Sequence, residues 1–259
     1  RYEGTNRLGR TRKARWLPTW NISGAWNAHS EDFFEKQHLL SHLTLKGSYS
    51  LVGVAPSWVT NSRAIIYSRA AWRPSAGQSE NRNYIGSFEN EDLTYEKKHE
   101  LNFGVDMGLL KNRLNIAADI YWRNNFDLIG AAYTIGGTRW GNVASMKSHG
   151  FELSVSTKNI QSKDFSWTTD FIFGSTFNKV TELDTKRNMF NFLTGNGFAR
   201  QGYPVRSLFS IPYEGLTREG LPTFRFKGDR ITPSNYNKIN FQEIDDLAFL
   251  KYEGSAEPT

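Results

Sequence analysis

The sequence predicts an all-β fold, and within that class an antiparallel up-and-down transmembrane β-barrel of which this chain holds an incomplete portion. Three observations predict it: long stretches that alternate apolar with small polar residues, connections that alternate tight with long, and no extended apolar run. Alternation sends the two residue sets to opposite faces of a strand. The stretch FSWTTDFIFGSTF at 165–177 is the clearest case. Phe165, Trp167, Phe171, Phe173 and Phe177 share one face; Ser166, Thr168, Asp170, Gly174 and Thr176 share the other, with Ile172 as the exception.

The other elements follow the same pattern. A first strand is expected over 16–26, with Trp16, Trp20, Ile22 and Trp26 aligned. The stretch 31–43, EDFFEKQHLLSHL, is the best helix candidate, and a strand over 42–52 follows it. Leu101, Phe103, Val105, Met107 and Leu109 alternate with Asn102, Gly104, Asp106 and Gly108. After LKNR at 110–113 the pattern resumes with Leu114, Ile116, Ala118, Ile120 and Trp122, then again with Phe151, Leu153 and Val155. Apolar parity survives each tight turn, as hairpins require. The spans 53–93, 123–148 and 178–206 read as long loops, whereas 110–113 and 158–164 are short. Short turns at one end and long loops at the other are the pattern of an outer-membrane barrel, with short turns periplasmic.

Composition permits this reading. The chain has 259 residues, a net charge of +6, 22 Gly, 18 Phe, 11 Tyr and 8 Trp. A polar mean hydropathy does not argue against a barrel, because lipid-facing and lumen-facing residues average out. Zero cysteines exclude a disulfide framework, a thiolate zinc site and a catalytic cysteine. The basic charges lie mostly in loops and the aromatics face away from the polar side, an arrangement unlike the basic stacking face of a nucleic-acid binder. From the residues alone a soluble β-rich carbohydrate-binding domain or glycosidase stays open beside the barrel.

Several stretches together resemble the SusC/RagA family of TonB-linked outer-membrane receptors: RWLPTWNISGAWNAHSEDFF, LTLKGSYSLVG, LTYEKKHELNFGVDMGLLKNRLNIAADIYWRNNFDLI, NVASMKSHGFELSVSTKNIQSKDFSWTTDFIFGSTFNKVTEL and GYPVRSLFSIPYEGLTREGLPTF. They occur in the family's order and correspond to its C-terminal half. The resemblance implies a barrel of about 22 strands around an N-terminal plug. It implies energised uptake of oligosaccharides or peptides, a SusD-like surface lipoprotein as lid, and the TonB complex as motor. It implies neither covalent chemistry nor a cofactor. Residues 1–259 are expected to be part of that barrel, without the plug and the closing strands, so the rest of the barrel and the lipid bilayer are expected partners.

Candidate sites follow. Trp58, Trp72, Tyr84, Trp140 and Phe198 lie in the expected external loops, where flat rings can stack on sugars or grip peptide side chains. Asp106, Asp119, Glu152 and Asp170 are expected on the lumen side. Across the 110–113 turn Asp106 and Asp119 come out diagonal, a spacing that overlaps that of inverting glycosidase carboxylates; lining a lumen is the favoured role. Glu152 and Asp170 could face each other in one register. His38 and His42 have the i, i+4 spacing of metal ligands but no third ligand. Ile172 is expected to pack on the plug or on an inward neighbour.

Overall fold

The computed structural model describes residues 1–259 apart from 10, 35–38, 60, 62–63, 74–77, 136, 186–188, 194, 227–228, 233–249 and 257–259. The chain forms two compact units, Arg1–Phe177 and Asn178–Thr259.

In the first unit β1 (Tyr2–Gly4) pairs with β2 (Trp16–Pro18) in a small sheet. The intervening turn, Arg12–Arg15, is capped by Thr11, whose Oγ1 accepts from the Ala14 N–H at 3.2 Å. The main sheet holds β3 (Trp20–Asn27), β4 (Leu40–Val54), β5 (Ala64–Arg73), β6 (Gln78–Phe88), β7 (Glu96–Leu109), β8 (Leu114–Thr134), β9 (Gly137–Gln161) and β10 (Ser166–Leu183). Its order is β3-β4-β7-β8-β9, with β10 paired to β9; the β5–β6 hairpin joins β9 through a parallel bridge between Phe88 and Arg139. The β3–β4, β4–β7, β7–β8, β8–β9 and β5–β6 pairings are antiparallel and join chain neighbours, except that the β5–β6 hairpin intervenes between β4 and β7.

The register carries the two predicted faces across five strands. One face runs through the rows Ile22–Tyr49–Leu101–Trp122–His149 and Trp26–Leu45–Val105–Ala118–Leu153. The opposite face runs through Asn21–Ser50–Glu100–Arg123–Ser148, Ser23–Ser48–Asn102–Tyr121–Gly150 and Ala25–Lys46–Gly104–Asp119–Glu152. β10 continues both. Phe177 stacks on His149 at 5.5 Å on the aromatic face, and the Thr176 and Tyr121 hydroxyls meet at 2.6 Å on the polar one.

The aromatic face is uncovered. Ile22 is 70% exposed, Phe103 50% and Phe171 53%. Left half-exposed to water, each such side chain forgoes roughly 1–2 kcal/mol of burial. A face of bare aromatic and aliphatic side chains is what a barrel wall presents to a bilayer.

Three expectations need correction. The single strand over 16–26 is two strands: Pro18 cannot donate to a ladder, so β2 ends there and β3 begins at Trp20. The helix over 31–43 does not form among the described residues. A 3-10 turn spans Ala28–Ser30, and Leu40 already pairs with Leu109, so the strand pairing of β4 outweighs a short helical pattern. The spans read as loops hold strands. The 53–93 span contains the β5–β6 hairpin, and 123–148 is mostly the upper part of β8 and β9. A bulge hides that hairpin from parity: Asn125 pairs with Met146 but Leu128 with Ala144, and Asp127 sits between them with φ 56°.

The tight turn at 110–113 is costly locally. Leu110, Lys111 and Asn112 all have positive φ, which L-residues other than Asn rarely adopt. Neighbours hold it in place. The Leu110 N–H donates to Leu39 O at 3.0 Å and the Asn112 N–H to Ser41 Oγ at 3.0 Å.

In the second unit β11 (Ser207–Ser210) pairs with β15 (Lys251–Ser255), while β12 (Tyr213–Leu216), β13 (Pro222–Phe226) and β14 (Asp229–Ile231) form a three-stranded sheet. Its core is Phe192, Phe209, Ile231 and Leu250. The buried Arg200 guanidinium lies over the Phe192, Tyr203 and Phe209 rings at 5.1–5.5 Å.

Candidate functional site: a loop cluster and the polar face

At the end of the main sheet away from the tight turn, four segments pack together. Leu8, Leu17, Val59, Leu93 and Tyr95 form a buried cluster, with Ala55, Ile129 and Trp140 against it. Leu17 comes so close to Gly53 that a Cβ there would collide with it. Asparagines bind the segments to one another. Asn142 Nδ2 donates to Thr94 O at 2.9 Å and to Asp127 O at 2.6 Å, and its Oδ1 accepts from the Thr94 N–H at 2.9 Å. Asn61 Nδ2 donates to Asn90 O at 2.6 Å, and Asn90 Nδ2 to Trp140 O at 3.0 Å. Lys97 Nζ reaches the Asp127 carboxylate at 2.5 Å and so ties the bulge to β7. Tyr95 donates its hydroxyl to Arg15 O at 3.3 Å, and its pKa is raised by burial and by the nearby Glu3 carboxylate.

This scaffold displays one aromatic pair. Val59 is fully buried, its N–H donates to Pro56 O at 3.2 Å, and Arg7 donates to the Ser57 and Val59 carbonyls. The turn so held projects Trp58, which is 60% exposed and meets Trp140 edge-to-face at 5.1 Å. The other expected aromatics do not join them. Phe198 belongs to the second unit, where its ring packs on Phe192 at 5.3 Å. Trp72 lies in β5 and Tyr84 in β6, and their side chains lie outside the described residues.

On the polar face Asp106 and Asp119 are diagonal: Asp106 opposes Ala117 and Asp119 opposes Gly104. Asp119 directly opposes Glu152, a like-charge pair that needs a cation nearby. That cation is Lys46. It forms an ion pair with Asp106 and lies in the same row as Asp119, one strand beyond Gly104. A Cβ on Gly104 would strike the Asp119 carboxylate, so the glycine leaves room for that side chain to lean toward β4. Glu100 takes Arg123 Nε at 3.0 Å and Lys98 Nζ at 2.6 Å. Glu152 and Asp170 do not face each other. Thr157 Oγ1 donates to Thr169 O at 3.3 Å and His149 stacks on Phe177, so Glu152 lies beside Gly174 and Asp170 beside Ser156. Ile172, on the polar side of β10, is 80% exposed.

Of the histidine pair, His38 lies outside the described residues, and His42 Nδ1 lies 3.0 Å from Asn112 Oδ1. Among the described residues no three His, Cys, Asp or Glu side chains gather as a metal site. The bridging residues that sequence reasoning missed are Lys46 and the three asparagines 61, 90 and 142. Lys46 had a signal: it shares parity with Thr44 and Ser48 within an otherwise apolar-aromatic alternation.

Comparison with known proteins decides the family. Residues 1–247 match the family model "TonB dependent receptor-like, beta-barrel". The chain belongs to the TonB-dependent receptor β-barrel family. It is an outer-membrane protein, a barrel portion of the SusC/RagA type. TonB-dependent receptor P39 of Formosa agariphila is 27% identical over 93% of this chain and 23% of its own length. TonB-dependent receptor SusC of Bacteroides thetaiotaomicron is 25% identical over 71% of this chain and 19% of its own length. A solved structure of the RagAB peptide transporter superposes with a TM-score of 0.70 at 23% identity, covering 96% of this chain and 27% of that one. The chain thus spans about a quarter of the length of the relatives it matches.

Proposed function

We propose that this chain is part of the barrel wall of an importer that carries oligosaccharides or peptides across the outer membrane without covalent chemistry. The carrying observation is the main sheet. Its aromatic face is uncovered along β3, β4 and β7–β10, and its polar face is bridged by ion pairs and hydroxyl contacts, in a chain of this family. On this reading the aromatic face meets lipid. The polar face, with Asp106, Asp119, Glu152 and Asp170, lines a lumen that a plug from elsewhere in the receptor fills. A SusD-like surface lipoprotein acts as the lid, and the TonB complex supplies energy through the plug. Trp58 and Trp140 present rings to substrate at the outer end, and Trp72, Tyr84 and Phe198 remain separate candidates.

Both substrate classes have support. One relative is named SusC, and the RagAB neighbour is described as a peptide transporter. The test is uptake by cells carrying the intact parent receptor, with labelled oligosaccharides and labelled oligopeptides as separate probes. Trp58→Ala with Trp140→Ala is expected to lower uptake of one class about three- to tenfold, the worth of one or two ring contacts. Uptake of both classes unchanged by deletion of the whole receptor would overturn the reading.

A further inference from the structure

Next to the tight turn Thr157, Asn159 and Thr169 hydrogen-bond to one another on the aromatic face, and towards the opposite end the face carries a second polar level. Below it each strand is apolar: Leu101 to Leu109 on β7, Leu114 to Trp122 on β8, and Phe151 to Val155 on β9 at alternate positions. Above it the same face continues with His99, Asn124, Lys147 and His149. Together with Tyr49 and Trp122 these residues line an open cleft of about 360 Å³. The His99 ring is sandwiched between Tyr49 at 5.6 Å and Phe126 at 5.5 Å, both nearly parallel, and its Nδ1 lies 3.2 Å from the Tyr49 hydroxyl. His149 opposes Trp122 and stacks on Phe177. Lys147 opposes Asn124 and is exposed, with no ion-pair partner among the described residues. Among the described residues, Lys97 on the same side of β7 is committed to Asp127, and Lys179 follows Phe177 by two positions in β10.

The level of the cleft identifies the occupant. His99 lies ten residues along β7 from Leu109, next to the tight turn. A strand rises about 3.3 Å per residue, and a tilt of about 40° makes that roughly 25 Å of height, the height of a barrel's apolar band. The cleft therefore sits where the hydrocarbon ends, on the side away from the tight turn, which is the outer leaflet. Aromatic residues alone would make an interfacial girdle. An unpaired lysine with two imidazoles and an amide, between flat aromatic walls, adds cationic and hydrogen-bonding groups suited to an anion.

We propose that this cleft binds the phosphate-bearing headgroup of an outer-leaflet lipid, with Lys147 supplying the charge, His99, His149 and Asn124 the hydrogen bonds, and Tyr49 and Trp122 the walls. The proposal rests on the reading of the aromatic face as lipid-facing.

The test uses the intact receptor in detergent, with native mass spectrometry after addition of bisphosphorylated lipid A or of its fully dephosphorylated form. The phosphorylated lipid is expected to be retained preferentially. Lys147→Gln is expected to weaken that retention about fivefold, the factor one lysine is worth near an anionic surface. Lys147→Arg is expected to restore it. Lys147 is exposed and outside every packed cluster, so these variants leave the fold unaltered. Equal retention of the two lipids, or no change in Lys147→Gln, overturns the headgroup site and leaves the lipid-facing assignment standing. Retention of neither overturns that assignment as well. Displacement of the lipid by millimolar inorganic phosphate alone would make the cleft a free-anion site and would also overturn the proposal.

Discussion

The two faces of the main sheet share one backbone and differ in how they treat their side chains. On the aromatic face Trp20, Ile22, Phe103, Trp122, Phe171 and Phe173 are bare. On the polar face Lys46 pairs with Asp106, Arg123 with Glu100, and Tyr121 reaches over Gly150 to Thr176. A water-soluble sheet does the reverse, burying the apolar side and leaving the charges to solvent. The inversion is the one expected if the apolar side meets lipid, while on the polar side several charges are held by specific pairs.

The comparison is broken most directly by placing the same charge on each face. Phe103→Arg, in the middle of the apolar band, is expected to destabilise the receptor folded in lipid by about 2–4 kcal/mol. Asn102→Arg, its neighbour on the polar face, is expected to change stability by no more than about 0.5 kcal/mol. Urea unfolding of the receptor in bilayers reads both, and equal costs would remove the distinction between the faces.

A smaller effect sharpens the polar side. A Cβ on Gly150 would strike the Tyr121 hydroxyl and ring and approach Ser175 O at 2.7 Å. Gly150→Val is therefore expected to cost about 1–3 kcal/mol through displaced packing, and Tyr121→Phe, which loses only the Thr176 contact, about 1 kcal/mol. Next, Glu100→Gln removes the partner of both Arg123 and Lys98. The expected loss is about 1 kcal/mol or less, because all three groups retain some solvent.

The smallest effect belongs to the loop cluster. The raised pKa of Tyr95 means that the fold favours its neutral form. That contribution is complete below the ordinary tyrosine pKa and fades as the pH climbs through the raised one. Tyr95→Phe is expected to remove the alkaline loss in a pH titration of thermal unfolding while leaving neutral-pH stability within about 1 kcal/mol.

Most of this architecture was legible where one face of a strand is apolar. There the period of two fixes which residues share a side, and tight turns carry parity from strand to strand, so the rows through Phe103, Ile120 and Phe151 could be drawn from sequence. Legibility failed beyond the apolar band. Residues 126–144 lose alternation at the Asp127 bulge, so a continuous hairpin read as a loop. The acids were visible but their counterion was not: the Lys46–Asp106 pair joins β4 to β7 across the whole intervening β5–β6 hairpin, and no local pattern encodes that register. The end of the helix expected over 31–43 is strand instead, because Leu40 and Leu43 pair with β7. The Trp58–Trp140 contact depends on Arg7 and Asn90, which reach it from distant segments.

The stretch 170–173 tests the account most directly. The chain has no cysteine, so single cysteines at Asp170, Phe171, Ile172 and Phe173 can carry one spin label each in the bilayer-reconstituted receptor. Labels at 171 and 173 are expected to collide with lipid-dissolved oxygen, and labels at 170 and 172 with a water-soluble nickel chelate or with neither if the plug covers them. Oxygen accessibility that peaks at 170 and 172, or that does not alternate at all, would contradict a sheet with its aromatic face in lipid.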